Sequence, residues 1–346
     1  MKTRSVSVAQ QQAITKAHFS RGRIFLSKIA EVDGVQILSL VDNSVDFLST
    51  IDRKEANSFR QWIKKRRAQK GAKMHPRLPL AEHGFSMLVR ILTKEKGHSI
   101  LFDTGSSPDC VIKNVARMGL DLDEIETIVL SHGHYDHSGG LLTILRAINK
   151  VSLPIIVHED MFKIRGTANS DGTIRTYPEF PNREQLSSAQ LINTRQPHLI
   201  ADDMILVTGE IPRETSFEKG YLQHKAFAGG SWKPDPWIWD DRAIVINVKG
   251  KGLVVLSGCA HAGIINTIRY AQRITGVADV YAVMGGFHLA GKENENRIKQ
   301  TISELKGTDP KLIVPSHCTG WRGTFAIANA LPNAFVCNSV GNLYNI

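Results

Sequence analysis

The chain has no run of about 18 apolar residues, the length a helix needs to cross a bilayer, so no transmembrane segment is predicted. Cysteine is scarce: Cys110, Cys259, Cys318 and Cys337 are the four among 346 residues, and no two form Cys-x-x-Cys. Such spacing argues against a disulfide framework and a zinc knuckle, and reduced thiols are expected. Met1 to Gln12 lack the apolar centre of a secretory signal, which sets a cytoplasmic location as the expectation. Acidic residues are outnumbered, 33 against 43 Lys and Arg, for a formal net charge of +10. That excess suits anionic partners, substrate phosphates and nucleic acid alike, without choosing among them.

What is present is ordinary for a globular protein, 42% hydrophobic and 22% charged, with length enough for one large domain or two average ones. The chemistry concentrates in Leu130 to Leu141, Leu-Ser-His-Gly-His-Tyr-Asp-His-Ser-Gly-Gly-Leu. An apolar run, Ile125 to Leu130, leads into it and two glycines follow, the pattern of a strand ending in a loop that starts a helix. His132, His134, Asp136 and His137 fall within six residues. A loop can turn His132 and His134 toward one cation and Asp136 and His137 toward a neighbouring one. Imidazole and carboxylate suit zinc first, with iron or manganese as alternatives.

The strand-loop-helix pattern recurs. Gly252 to Leu256 runs into Ser-Gly-Cys-Ala-His-Ala-Gly with His261, followed by a helix over Ile264 to Ile274. Val280 to Met284 feeds Gly-Gly-Phe-His-Leu with His288, and Lys311 to Val314 feeds Pro-Ser-His-Cys-Thr-Gly with His317. If these strands share a face, their ends converge on one site. Upstream, a strand from Gly34 ends at Asp42-Asn43, and Met87 to Leu92 pairs with Ile100 to Phe102 as a hairpin ending in Asp103, placed to orient a ligand histidine. Helices are predicted over Pro108 to Leu120 and Leu141 to Ile148, a strand over Pro154 to Val157, and a final short strand within Ala334 to Asn342. His158 stands alone and reads as structural.

Four stretches read less sharply. Gln11 to Ala30 is a helix or an extra strand. Arg165 to Pro197 is expected as loops and short edge strands. Phe217 to Asp241 carries Trp232, Trp237 and Trp239 near His224, either capping a pocket or packing as a local aromatic core. The basic run Arg60 to Lys73 reads as a solvated helix or mobile insertion before it reads as a nucleic-acid patch.

The motif His-x-His-x-Asp-His, with Phe-Asp-Thr-Gly at 102–105 and Pro-Ser-His at 315–317, resembles the metallo-β-lactamase superfamily over roughly Val35 to Asn342. Val-Asp-Asn at 41–43, Glu-His-Gly-Phe-Ser at 82–86, Gly-Cys-Ala-His-Ala-Gly at 258–263, Gly-Gly-Phe-His-Leu at 285–289 and His-Cys-Thr-Gly at 317–320 together resemble one subgroup. It is named for a dihydropteroate-synthase-like 7,8-dihydropterin-6-methyl-4-(β-D-ribofuranosyl)-aminobenzene-5′-phosphate synthase.

The resemblance implies a single α/β domain over 1–346, an αββα sandwich of two mixed β-sheets flanked by helices, with 1–34 and 52–77 as additions. It maps His132 and His134 to a first metal position and Asp136, His137 and His317 to a second, for one or two divalent ions. The superfamily's bridging Gly-Asp is replaced by Gly258-Cys259-Ala260-His261. His261 is taken as the sixth ligand, with Cys259 as alternative and Glu210 and His224 as further candidates. Asp136 and His288 are the expected catalytic side chains. The implied activity is a metal-dependent enzyme, hydrolase or transferase, on a small anionic substrate, phosphorylated or pyrophosphorylated and pterin-related. A metal-dependent nuclease or phosphodiesterase and a non-catalytic metal-bearing binder are the alternatives.

Overall fold

A computed structural model describes residues 28–70, 77–94 and 97–346. The expectation for Gln11 to Ala30 falls outside the described residues as far as 27. Two mixed sheets dominate. The first runs, edge to edge, Ala189–Asn193, Leu153–Val157, Thr127–Val129, His98–Phe102, Ser86–Leu92, Gly34–Val41, Leu343–Asn345 and Ala56–Asn57. The second runs His198–Ile200, Ile205–Val207, Ala243–Val248, Gly252–Ser257, Val280–Gly286 and Leu312–Ser316, with Glu31–Val32 also pairing Ala243–Val248. A smaller antiparallel sheet joins Ser231–Pro234, His224–Ala228, Ile164–Ala168 and Ile174–Thr176.

The strands read as unbroken apolar runs because both of their faces are covered. Along Ser86–Leu92, Met87, Val89 and Ile91 enter the layer between the sheets, while Leu88 points outward. The second sheet alternates likewise, with Val254 and Leu256 inward and Leu253 and Val255 outward. Helices cover the outer faces: Cys110–Met118 and Leu141–Ile148 on the first, Ile264–Thr275 on the second. Each buried Val, Leu or Ile is worth about 1.5–3 kcal/mol, so alternation on two faces holds four layers in one register. This is the αββα arrangement, and no helix among the described residues is long and apolar enough to cross a membrane.

Several boundaries differ from expectation for local reasons. The last strand is Leu343–Asn345, not within Ala334 to Asn342. In that preceding segment Phe335 makes a single parallel bridge with Ile313, and beyond it Asn338 donates to Asp42 at 2.6 Å and Asn342 to the Cys337 carbonyl at 3.1 Å, so side chains hold the chain where a longer strand would need ladder bonds. Phe217 to Asp241 contains the hairpin His224–Ala228 and Ser231–Pro234, where Phe227 and Trp232 pack edge to face at 5.5 Å. Trp237 and Trp239 pack on one another at 6.3 Å, with the Arg213 guanidinium 4.9 Å over Trp239. These contacts are those of a local aromatic core.

Within the basic run, Phe59–Lys70 is a helix that buries Phe59, Trp62 and Ile63 in the outer core of the first sheet. Arg66 donates to the carbonyls of Met118 and Gly119 at 3.0 and 2.6 Å, a cation at a helix C-terminus. Trp62 also donates to the Gly341 carbonyl at 2.6 Å and meets Phe59 edge-on. Trp62→Ala is therefore expected to cost about 3–5 kcal/mol in urea unfolding; a loss near ~1 kcal/mol would mean that this helix is peripheral to the core.

Candidate metal centre

The chemistry-bearing side chains stand just past strand ends, where the backbone turns sharply. Asp103, Ala260, His288 and His317 have φ of 61°, 53°, 48° and 48°. Left-handed backbone at non-glycine residues costs about 1–3 kcal/mol and clusters at functional sites. Here each such turn ends a strand and redirects the chain at the sheet edge. Gly263 makes a different demand: at φ 95°, a Cβ would lie 2.1 Å from the Glu218 carboxyl carbon. That carboxylate accepts from the backbone N–H groups of Ile265 and Asn266 at 2.9 Å, capping the helix that follows His261.

His132 lies at the middle of an imidazole cluster. Its Nε2 is 3.0 Å from His134 Nδ1 and 3.2 Å from His261 Nε2, and His134 Nε2 is 3.0 Å from His224 Nε2. Ligand atoms of His132, His134 and His261 all lie within 4.8 Å of one another. A second group joins Asp136, His317 and His83, with Asp136 Oδ2 3.2 Å from His317 Nε2 and 3.5 Å from His83 Nε2. Cys259 stands between them. Its Sγ is 3.1 Å from His137 Nε2, and it groups with His132 and His137, with His261 and His288, and with His317 and Cys318.

Buried partners orient the cluster. Asp103 accepts from Ser131 N–H at 2.7 Å, from Ser131 Oγ at 2.7 Å and from His137 Nδ1 at 2.7 Å. Ser131 Oγ also lies 2.9 Å from His132 Nδ1. Asp42 accepts from His317 N–H at 2.8 Å, and Asn43 Oδ1 meets His317 Nδ1 at 3.1 Å. Asp240 accepts from Gly133 N–H at 2.8 Å while Arg165 grips it with both guanidinium nitrogens at 2.8 and 2.5 Å, which pins the loop between His132 and His134. Removing one side of a buried pair of this kind costs about 3–5 kcal/mol.

Burial, reinforced by neighbouring histidines, pulls the pKa values of His132, His134 and His261 far below the ordinary histidine range. They are neutral imidazoles. For Asp136, burial opposes ionisation, but His137 and His317 override it and hold the carboxyl far below the usual range. For His317, burial is overcome by Asp136, which lifts its pKa to about 9. Burial pushes the Cys259 thiol up. His261 Nδ1 is buried with no hydrogen-bond partner among the described residues, and the His288 ring nitrogens are buried beside Cys318. Neutral imidazoles, an ionised carboxylate and a thiol with lone pairs converging at 3.0–3.2 Å are the donor set a divalent cation takes.

The structure thus brings together the expected His132, His134, Asp136, His137, His261 and His317. It places His137 closer to Cys259 than to Asp136, at 3.1 against 4.0 Å. His288 packs on His261 with ring centres 4.2 Å apart. Of the further candidates, His224 joins the cluster, whereas Glu210 pairs with His158 at 3.0 Å. His158 also accepts from Asp160 N–H at 3.0 Å, a structural cap. Sequence reasoning missed His83, whose ring lies 4.8 Å from that of His317. The signal was present in Glu-His-Gly-Phe-Ser, since the histidine precedes a strand of the sheet that carries the main motif.

This fold and this centre define the class: the chain belongs to the metallo-β-lactamase superfamily, whose profile it matches over residues 81–317, and the fold is one that binds divalent metal. It is similar to the 7,8-dihydropterin-6-methyl-4-(β-D-ribofuranosyl)-aminobenzene-5′-phosphate synthase of Methanocaldococcus jannaschii, 33% identical over 256 residues, 70% of this chain and 82% of that protein. A second protein of that organism, the uncharacterized MJ0448, is 32% identical over 77% of this chain and 94% of its own length. Among solved structures, Tm1679, a metal-dependent hydrolase of the β-lactamase superfamily, superposes with a TM-score of 0.67 at 23% identity, covering 90% of this chain and 98% of that one.

Two outcomes are expected. Asp103→Asn, which keeps the shape and removes the charge, should lower metal affinity 10- to 100-fold with the fold retained, as read by competition with a chelating dye; unchanged affinity would remove Asp103 from the orienting role. In metal-free protein, His132, His134 and His261 are neutral when folded but protonate when unfolded below a pH of about 6.5. Stability should therefore fall with acidification through that pH, by on the order of 1.4 kcal/mol per pH unit for each histidine. His317 acts oppositely: its raised pKa adds stability that is full below about 6.5 and lost as pH rises through about 9. Denaturant midpoints flat from pH 7 to pH 5 would contradict the burial of neutral imidazoles.

Proposed function

We propose that the chain is a zinc-dependent transferase that joins an activated dihydropterin to an aryl amine with release of pyrophosphate. The observation carrying this reading is the identity to the M. jannaschii synthase over 82% of that protein's length. In the proposed arrangement, His132, His134 and His261 would hold a first ion, with His224 beside His134. Asp136 and His317 would hold a second, with Cys259 and His137 standing between the two groups of side chains. Bound divalent ions neutralise negative charge that develops on a phosphoryl leaving group.

The residues of the chain do the rest. The amine nitrogen forms a bond to the pterin methylene carbon as the carbon–oxygen bond to pyrophosphate breaks. Pyrophosphate leaves with the electron pair, and the proton lost by the amine passes to solvent water. His288, half-buried and packed on His261, donates to the anionic portion of the substrate. Asp136, kept ionised, helps compensate the positive charge gathered around it.

Incubation of zinc-loaded protein with a dihydropterin pyrophosphate ester and an aryl amine should give the coupled product and one pyrophosphate per coupling. Turnover confined to a parallel panel of phosphodiesters, lactones and thioesters would overturn the transferase reading in favour of hydrolysis. His134→Ala should lower coupling by roughly 100-fold or more, beyond the effect of losing an outer partner, with an unchanged circular dichroism spectrum; full activity would refute the assignment of His134.

A further inference from the structure

The second group of donors contains one exposed ring. His83 has 63% of its side chain exposed, whereas Asp136 and His317 beside it have 13% and 0%. Its backbone nonetheless holds it in place. The turn Glu82-His83-Gly84-Phe85 is tied down on both sides. Upstream, the Glu82 carboxylate accepts from the N–H groups of Ser106 and Ser107 at 2.8 and 3.1 Å, and Glu82 N–H donates to the Asp42 carbonyl at 3.1 Å. Downstream, Phe85 N–H donates to the carbonyl of Asp136 itself at 3.0 Å. Gly84 permits that approach, since a Cβ there would lie 2.8 Å from Ser106 N and 3.0 Å from the Asp136 carbonyl oxygen.

The anchored turn sets the ring against two further donors. His83 Nε2 lies 3.5 Å from Asp136 Oδ2, His317 Nε2 lies 3.2 Å from the same oxygen, and the two rings pack with centres 4.8 Å apart. The His83 contact is longer than an N–H···O hydrogen bond of roughly 2.7–3.2 Å. It suits a shared cation better, because a tetrahedral zinc with bonds of about 2.0–2.1 Å spaces its donors roughly 3.3 Å apart. His137, which the resemblance maps to this position, is further away. Its Nε2 is 4.0 Å from Asp136 Oδ2 and faces Cys259 at 3.1 Å instead. Burial and the nearby His317 also lower the His83 pKa below the ordinary histidine value, which keeps a lone pair on the ring.

We infer that His83 is a ligand of the second ion, completing with Asp136 and His317 a three-residue set in the place the resemblance gives to His137. Three protein ligands with a fourth position open are the arrangement of a catalytic zinc, where a structural one is closed by four. The exposed ring puts this position on the solvent side of the centre, whereas His132, His134 and His261 are all buried. The inference rests on the assignment of Asp136 and His317 to a second ion, and metal binding tests the two separately.

The probe is cobalt(II), titrated into metal-free full-length protein and followed by visible absorption and by competition with a chelating dye. Wild-type protein should take up two ions. His83→Ala should bind the first unchanged and the second roughly 100-fold more weakly, beyond the effect of losing an outer partner. The visible bands of the second equivalent should change with it, and the thermal melt of the metal-free variant should not. His317→Ala should lose the second ion as well. Wild-type affinity and an unchanged cobalt spectrum in His83→Ala, with the second ion lost in His317→Ala, would overturn the inference and leave the second position in place. Uptake of a single ion by wild-type protein, or of two at full affinity by both variants, would overturn the inference and the second position together.

Discussion

The arrangement of the centre depends on one carboxylate, Asp103. Fully buried at the end of its strand, it gathers the Ser131 N–H, the Ser131 hydroxyl and the His137 ring, each at 2.7 Å. Through Ser131 it reaches His132. A single side chain thereby fixes the rotation of two imidazoles on the loop that follows a different strand. The left-handed backbone at Asp103 accompanies this placement, and two covered sheet faces hold the strand ends where such strain persists.

Around that anchor the electrostatics divide by position. The inner imidazoles are neutral because burial and mutual repulsion discourage protonation. The outer group is ionised, because Asp136 and His317 charge together. Cys259 sits between these regimes, in the place where the superfamily resemblance leads one to expect a carboxylate. A thiol there adds softness to an otherwise nitrogen and oxygen donor set.

Much of this was legible in the chain. The four-layer architecture could be reached from the resemblance, and the apolar runs Val35 to Val41, Ala243 to Val248 and Val280 to Met284 are strands because each is covered on both faces. The dense motif announced His132, His134, Asp136 and His137, and the recurring strand-loop-histidine pattern announced His261, His288 and His317. What stayed hidden depends on distance in sequence. Nothing local tells that His224 will reach His134 from a hairpin 90 residues away, that Asp240 will take Arg165 rather than a metal ion, or that His83 will stack on His317.

The two main sheets each contribute four side chains to the donor set. His132, His134, Asp136 and His137 follow a strand of the first sheet, whereas Cys259, His261, His288 and His317 follow strands of the second. Any ion shared between the halves is therefore also a cross-link, joining chain segments more than a hundred residues apart at the rim of a sandwich otherwise held by apolar side chains. Its binding energy belongs to the docking of one sheet on the other, because a ligand that binds only the assembled state stabilises that state by mass action. In that sense the centre is a rivet as well as a place for chemistry, and the tightness of the sandwich and its metal loading form one equilibrium.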